Sequence, residues 1–228
     1  MAGTPSGAGR RGRLVRRHGG ARRPSRAARG RVLSWYPVEV YEEHYLASDD
    51  PRRQSGFGGD EERWKAARRP IVEAIHRPGS FLDVGSANGY LLESLVRWSP
   101  HPLEPYGLDF SARLVELARA RLPRWADRFV VGDALEWEPP RRFDFVRTEL
   151  VYAPESRRRE LVERLLGRVV APDGRLIVCG YGSPRSGVPT DPVRRILRGW
   201  GYEPELEVAA EAPEGGGPIV ELAVLAYR

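Results

Sequence analysis

Three acids close short apolar runs, and the residues around them suit one kind of ligand. The first lies in Phe81-Leu82-Asp83-Val84-Gly85-Ser86-Ala87-Asn88-Gly89-Tyr90, where an apolar strand ends in an acid and a glycine loop opens a helix. In doubly wound sheets ligands bind outside the carboxyl ends of strands near the switch point, and glycines there let the backbone turn tightly and approach a ligand. A dinucleotide site would read G-x-G-x-x-G, with amides facing a pyrophosphate. Here Gly85 and Gly89 are spaced G-x-x-x-G, with Asp83 two residues ahead. That charge opposes a pyrophosphate and favours an ammonium or sulfonium centre. The second signal is Tyr106-Gly107-Leu108-Asp109-Phe110-Ser111. Asp109 can accept both ribose hydroxyl protons of a nucleoside, and Ser111 then caps the next helix. The third is Val131-Gly132-Asp133-Ala134-Leu135, whose acid can accept from an adenine amino group. Alone, each acid is an ordinary turn or cap residue. Three at successive strand ends, beside a glycine loop, are hard to obtain by accident.

These motifs resemble those of the class I methyltransferases that use S-adenosylmethionine, and the resemblance spans nearly all of residues 34–228. In that family an acid is followed, after one residue, by G-x-G-x-G. Asp83 to Gly89 matches, except that Ala87 replaces the middle glycine. The resemblance implies an enzyme with S-adenosylmethionine as cofactor. It implies that Asp83, Gly85 and Gly89 lie against the methionine part, with Ser86, Ala87 and Asn88 in the same loop. It further implies that Asp109 holds the ribose, that Asp133 and the Ala134 amide meet the adenine, and that Phe110 and Leu135 sandwich the ring. Thr148, after the fourth strand, joins the expected cofactor contacts.

The family's fourth motif falls on Arg147-Thr148-Glu149-Leu150-Val151-Tyr152-Ala153-Pro154. The [ND]-P-P-[YF] tetrapeptide common in amino methyltransferases of nucleobases and glutamine is absent. Many small-molecule methyltransferases carry His at the position of Tyr152. Tyr152 and Glu149 are therefore the candidate acceptor contacts, against the alternative that both are surface residues. The expected reaction is displacement of the sulfonium methyl by an O, N or C atom of a small molecule. Its main demand is alignment of the reacting atoms, and a base is needed only where the acceptor must lose a proton.

His18, His44, His76 and His101 are scattered, without H-x-x-H or H-E-x-x-H. No catalytic metal is expected. His44 is the candidate base, against the alternative of a satisfied or solvated histidine, which its surroundings favour. The only cysteine, Cys179, lies in an apolar run and excludes an internal disulfide. It suits a reducing, cytoplasmic setting.

The elements that must place these residues alternate. Strands are expected at 80–84, 105–108, 129–131, 143–147, 176–180, 205–209 and 219–227, the fifth following a Pro172-Asp173-Gly174 turn. Helices are expected at 38–46, from an Asp60 cap to about 76 with a break at Pro70, at 90–98, from a Ser111 cap to 122, at 155–170, and from an Asp191 cap to 200. This alternation predicts an α/β fold: a doubly wound, mostly parallel, seven-stranded sheet with a C-terminal antiparallel hairpin and helices on both faces.

Three regions follow: a disordered basic tail at 1–33, a helical lid and substrate segment at 34–78, and a cofactor-binding domain at 79–228. Residues 1–38 hold ten arginines and no acid, leaving 27 Lys and Arg against 31 Asp and Glu in the remainder. The folded part is thus mildly acidic, without the positive footprint of a nucleic-acid binder. No apolar run approaches the roughly 20 residues of a membrane span. Trp35, Tyr36, Tyr41, Tyr45, Phe57 and Trp64 bracket the flexible Gly56-Phe57-Gly58-Gly59 run, as a lid or as packed core aromatics. The expected partner is a small-molecule acceptor, and the expected state a monomer or homodimer. The rivals are an RNA methyltransferase anchored by the Arg-rich tail, a non-catalytic cofactor-binding protein of the same fold, and, disfavoured by glycine spacing, a nicotinamide oxidoreductase.

Overall fold

The computed structural model describes residues 37–227, so the expected tail at 1–33, with Trp35 and Tyr36, lies outside the described residues. Seven strands form one sheet: β1 (Gly79–Val84), β2 (Leu103–Asp109), β3 (Phe129–Val131), β4 (Phe143–Glu149), β5 (Val170–Tyr181), β6 (Leu206–Glu211) and β7 (Pro218–Ala226). Their order is β3-β2-β1-β4-β5-β7-β6. The first five run parallel, whereas β7 lies antiparallel between β5 and β6. The switch point therefore falls between β1 and β4, where chain direction across the sheet reverses, and ligand sites are expected there.

Two hydrophobic clusters cover the two faces. One packs Leu82, Val146, Leu176 and Val178 against α5 (Arg158–Arg164) and α6 (Val193–Gly199). The other packs Phe81, Phe145, Ile177 and Val224 against α3 (Tyr90–Trp98) and Trp64 of α2 (Glu61–Arg68). Alternate residues of β1, β4 and β5 thus enter opposite cores, which is why these strands read as continuous apolar runs rather than alternating ones.

Several local expectations hold to the residue. The Asp60 side chain accepts from the Arg63 amide and starts α2, and Pro70 converts its continuation into a 3-10 turn over Arg69–Ala74. Ser111 caps α4 (Ala112–Arg121) by accepting from the Leu114 amide. Others change. Asp191 does not cap α6: the helix begins at Val193 behind Pro192, with no side-chain cap bond. The expected helix at 155–170 is a 3-10 turn, the short α5, and a π turn at Leu165–Val169. The fifth strand starts at Val170, earlier than expected, and carries the Pro172-Asp173-Gly174 turn as an irregularity between two registers with β4.

The N-terminal helix α1 (Val38–Tyr45) is held over the ends of β1 and β2 by polar contacts. The buried Glu42 accepts from the Ser111 hydroxyl at 2.7 Å and from Arg113 at 3.3 Å. The following segment is tied down by Asn88, whose amide donates to the Pro51 carbonyl at 2.9 Å. Among the described residues no helix is long and apolar enough to cross a membrane.

Candidate active site

The carboxyl ends of β1, β2 and β4 open into a cleft of about 230 Å³, walled on its far side by Tyr41 and Tyr45 of α1. Its geometry starts with the loop after β1. Gly85 takes φ +77°, and a Cβ there would meet the Tyr152 ring at 2.4 Å, so only glycine satisfies both turn and neighbour. Ala87 also adopts a left-handed backbone, at φ +45°. An L-residue carries roughly 1–2 kcal/mol of steric cost there. What holds it is its amide, which donates to Asp109 Oδ2 at 2.8 Å.

Asp109 ends β2 and lies on the cleft wall. Its other oxygen accepts from the Ser111 amide at 2.9 Å. Burial pushes its carboxyl up to about 6, against the pull of the Ser111, Ala87 and Phe110 amides, while Glu42 adds to the rise. Each oxygen keeps a lone pair, so the group is fixed in place yet able to accept further. Phe110 beside it is exposed on the wall and meets Tyr41 edge-on at 5.2 Å. Gly132, Asp133 and Ala134 form the adjoining wall, with Asp133 Oδ1 accepting from the Leu135 amide.

Of the expected cofactor residues, the cleft brings together Gly85, Ala87, Asp109, Phe110, Asp133 and Ala134. It does not bring Asp83, Ser86, Asn88, Gly89, Leu135 or Thr148. Gly89 faces Leu122 and Phe129, where it permits close packing, and Asn88 binds the segment that follows α1. Leu135 belongs to the core, and Thr148 is fully buried. Of the candidate acceptor contacts, Glu149 and Tyr152 line the cleft. His44 does not: it is exposed on α1, its ring against Tyr45.

Asp83, expected against the methionine part, is paired within the protein. It is 1% exposed, and its Oδ1 accepts from Arg147 of β4 at 3.1 Å. Arg147, also buried, donates to the Tyr152 hydroxyl at 3.1 Å, to the Tyr181 hydroxyl at 3.3 Å, and to Glu149 Oε1. Tyr152 donates in turn to the same Glu149 oxygen at 2.7 Å. One guanidinium therefore serves two carboxylates. Burial pushes Asp83 up to about 7, with Arg147 opposing the rise and Glu149 adding to it. Burial likewise raises Tyr152 far above the usual phenol range. Tyr152 thus keeps its proton, and Glu149 lines the cleft beside it with Oε1 already engaged.

A second arginine went unnoticed in the sequence. Arg68, at the end of α2, reaches the cleft wall with its guanidinium 3.5 Å from the centre of the Tyr181 ring. Arg147 stood in the fourth motif without a role and Arg68 stood in none, because the position of each depends on tertiary packing between distant segments. Among the described residues no cluster of three or more His, Cys, Asp or Glu side chains could hold a metal ion.

Comparison with known proteins agrees with this geometry. Residues 81–174 match the family model described as a methyltransferase domain. The match covers less than half of the chain and likens that part of it to a methyltransferase domain. A trans-aconitate 2-methyltransferase of Methylobacterium radiotolerans is 35% identical over 115 residues, which are 48% of this chain and 43% of that protein. The match thus spans less than half the length of that curated relative. Among solved structures, the N-methyltransferase NodS of Bradyrhizobium japonicum WM9, in complex with S-adenosylhomocysteine, shares the fold with a TM-score of 0.62 at 18% identity, over 83% of this chain and 97% of that one. The 1,6-didemethyltoxoflavin-N1-methyltransferase of Burkholderia thailandensis does so at 0.61 and 16%, over 83% and 86%.

Proposed function

We propose that the protein is an S-adenosylmethionine-dependent methyltransferase acting on an O, N or C atom of a small-molecule acceptor. The observation that carries this is Asp109. Two backbone amides hold its carboxylate at the end of β2, on a cleft wall shared with Gly85 and Phe110. That arrangement suits a nucleoside, with Asp109 accepting from the two ribose hydroxyls. Phe110 offers a ring face to the base, and Asp133 and the Ala134 amide offer an acceptor and a donor to its edge. When bound, the cofactor supplies a methyl group already activated by its sulfonium charge.

The chain's own residues do the rest. Val84, Leu108 and Leu114 give the cleft apolar surface, and Tyr41 and Tyr45 cover it, which excludes water and restrains the acceptor. Glu149 is locked through Oε1 by Arg147 and Tyr152, leaving Oε2 to take a proton from an acceptor that must lose one. We place Asp83 beneath the site, where it fixes Arg147, rather than against the ligand. Helix α1 and residues 51–56 act as the lid. The mild acidity of the part beyond residue 38 favours a small acceptor over nucleic acid. A lone buried cysteine suits the cytoplasm, and the protein would work there as a monomer or homodimer.

Calorimetric titration with S-adenosylhomocysteine tests the reading. Wild type should bind and Asp109→Ala should not, with a far-UV spectrum confirming that the variant is folded. No binding to folded wild type would remove the methyltransferase reading.

A further inference from the structure

We infer that Arg68 is the receptor for a carboxylate of the ligand that fills the cleft, an inference that rests on the reading of this cleft as a cofactor and acceptor site. Arg68 is 9% exposed, yet among the described residues no hydrogen bond or ion pair reaches it. Its Nη1 is wholly buried without a partner. Within the described residues its guanidinium meets aromatic faces instead: Tyr181 at 3.5 Å, Trp64 at 5.1 Å and Phe57 at 5.3 Å from the ring centres. The other buried arginine of the site contrasts with it, since Arg147 is neutralised by Asp83 and Glu149.

Among the described residues the cleft wall therefore carries one uncompensated guanidinium. A buried cation without an anion is costly, and aromatic faces offset only part of that cost. A planar fork with five donors matches a carboxylate in two-point geometry. The aromatic packing around Arg68 also fixes the fork before a ligand arrives, which lowers the cost of ordering it. Two sources of carboxylate fit: the amino-acid end of the cofactor, and an acidic acceptor.

The test compares wild type with Arg68→Met, which keeps the bulk, and Arg68→Lys, which keeps the charge. Each is titrated with S-adenosylhomocysteine and with 5'-methylthioadenosine, the same nucleoside without an amino-acid end. A panel of small mono-, di- and tricarboxylates is then titrated into the free and the S-adenosylhomocysteine-saturated proteins. If the cofactor supplies the group, Arg68→Met weakens S-adenosylhomocysteine about tenfold or more. It leaves 5'-methylthioadenosine unchanged, and Arg68→Lys recovers part of the loss. If the acceptor supplies it, both nucleosides bind all three proteins equally, and wild type alone binds a panel acid tightly. Equal affinity of wild type and Arg68→Met for every carboxylate overturns the inference. So does an equal loss for both nucleosides, which would mark Arg68 as structural. Wild type that binds neither nucleoside removes the methyltransferase reading, and the panel on free protein then still decides the role of Arg68.

Discussion

Ala87 and Asp83 show how single residues depart from their motif in opposite ways. Ala87 keeps the backbone path of the glycine it replaces, at φ +45°. Ala87→Gly should therefore leave cofactor binding intact and raise stability by up to about 1 kcal/mol, less whatever the freer unfolded chain takes back. Urea denaturation would measure it, and a clear loss of stability would refute the strain. Asp83 keeps its type but changes its neighbour. With its carboxyl pushed up to about 7 from the usual 3.8, the folded state holds a proton that the unfolded state has released between those values. Stability from this group is full at low pH and lost as pH rises through about 7. Wild type should then lose more thermal stability than Asp83→Asn between pH 5 and pH 8, and equal slopes would exclude the proton. The glycines and strand-end acids were legible because local backbone geometry demands them. Arg147 and Arg68 were not, since nothing near them in sequence states that one meets Asp83 and the other Tyr181.

The elements were read well where a local rule terminates them. Asp60, Pro70 and Ser111 each act through the adjacent backbone, and their helices start or break where these residues stand. The reading failed where tertiary packing sets the end, as in the π turn at Leu165–Val169 and the early start of β5. The proposed lid belongs to this scale. Its α1 is only eight residues long, too short to persist alone, so its order rests on docking through Glu42 to Ser111 and Arg113. Glu42→Ala should raise amide exchange across residues 38–46 and make cleavage there faster. S-adenosylhomocysteine should protect the same stretch in wild type. Identical cleavage with and without the ligand would count against a lid.

For the whole molecule, the mostly parallel seven-stranded sheet followed from the alternation of strands and helices, and the terminal antiparallel hairpin from two strands with no helix between them, whereas the order of the strands was not legible. The ten arginines before residue 39 are a separate matter. Removing residues 1–33 should leave S-adenosylhomocysteine affinity and methylation of a small acceptor unchanged at low and high salt. Loss of a salt-sensitive affinity for RNA, together with activity, would favour the nucleic-acid rival.

Cys179 lies in β5 at the centre of this sheet, 1% exposed, its thiol pushed up by burial, and it is the chain's sole sulfhydryl. A thiol reagent can reach it only when the central strands part, so its modification rate in native buffer reads the frequency of global opening. The exterior correspondingly offers no competing thiol. A cysteine introduced on α1 would accept a fluorophore or spin label at one place, and the protein could report any movement of the proposed lid against a silent background.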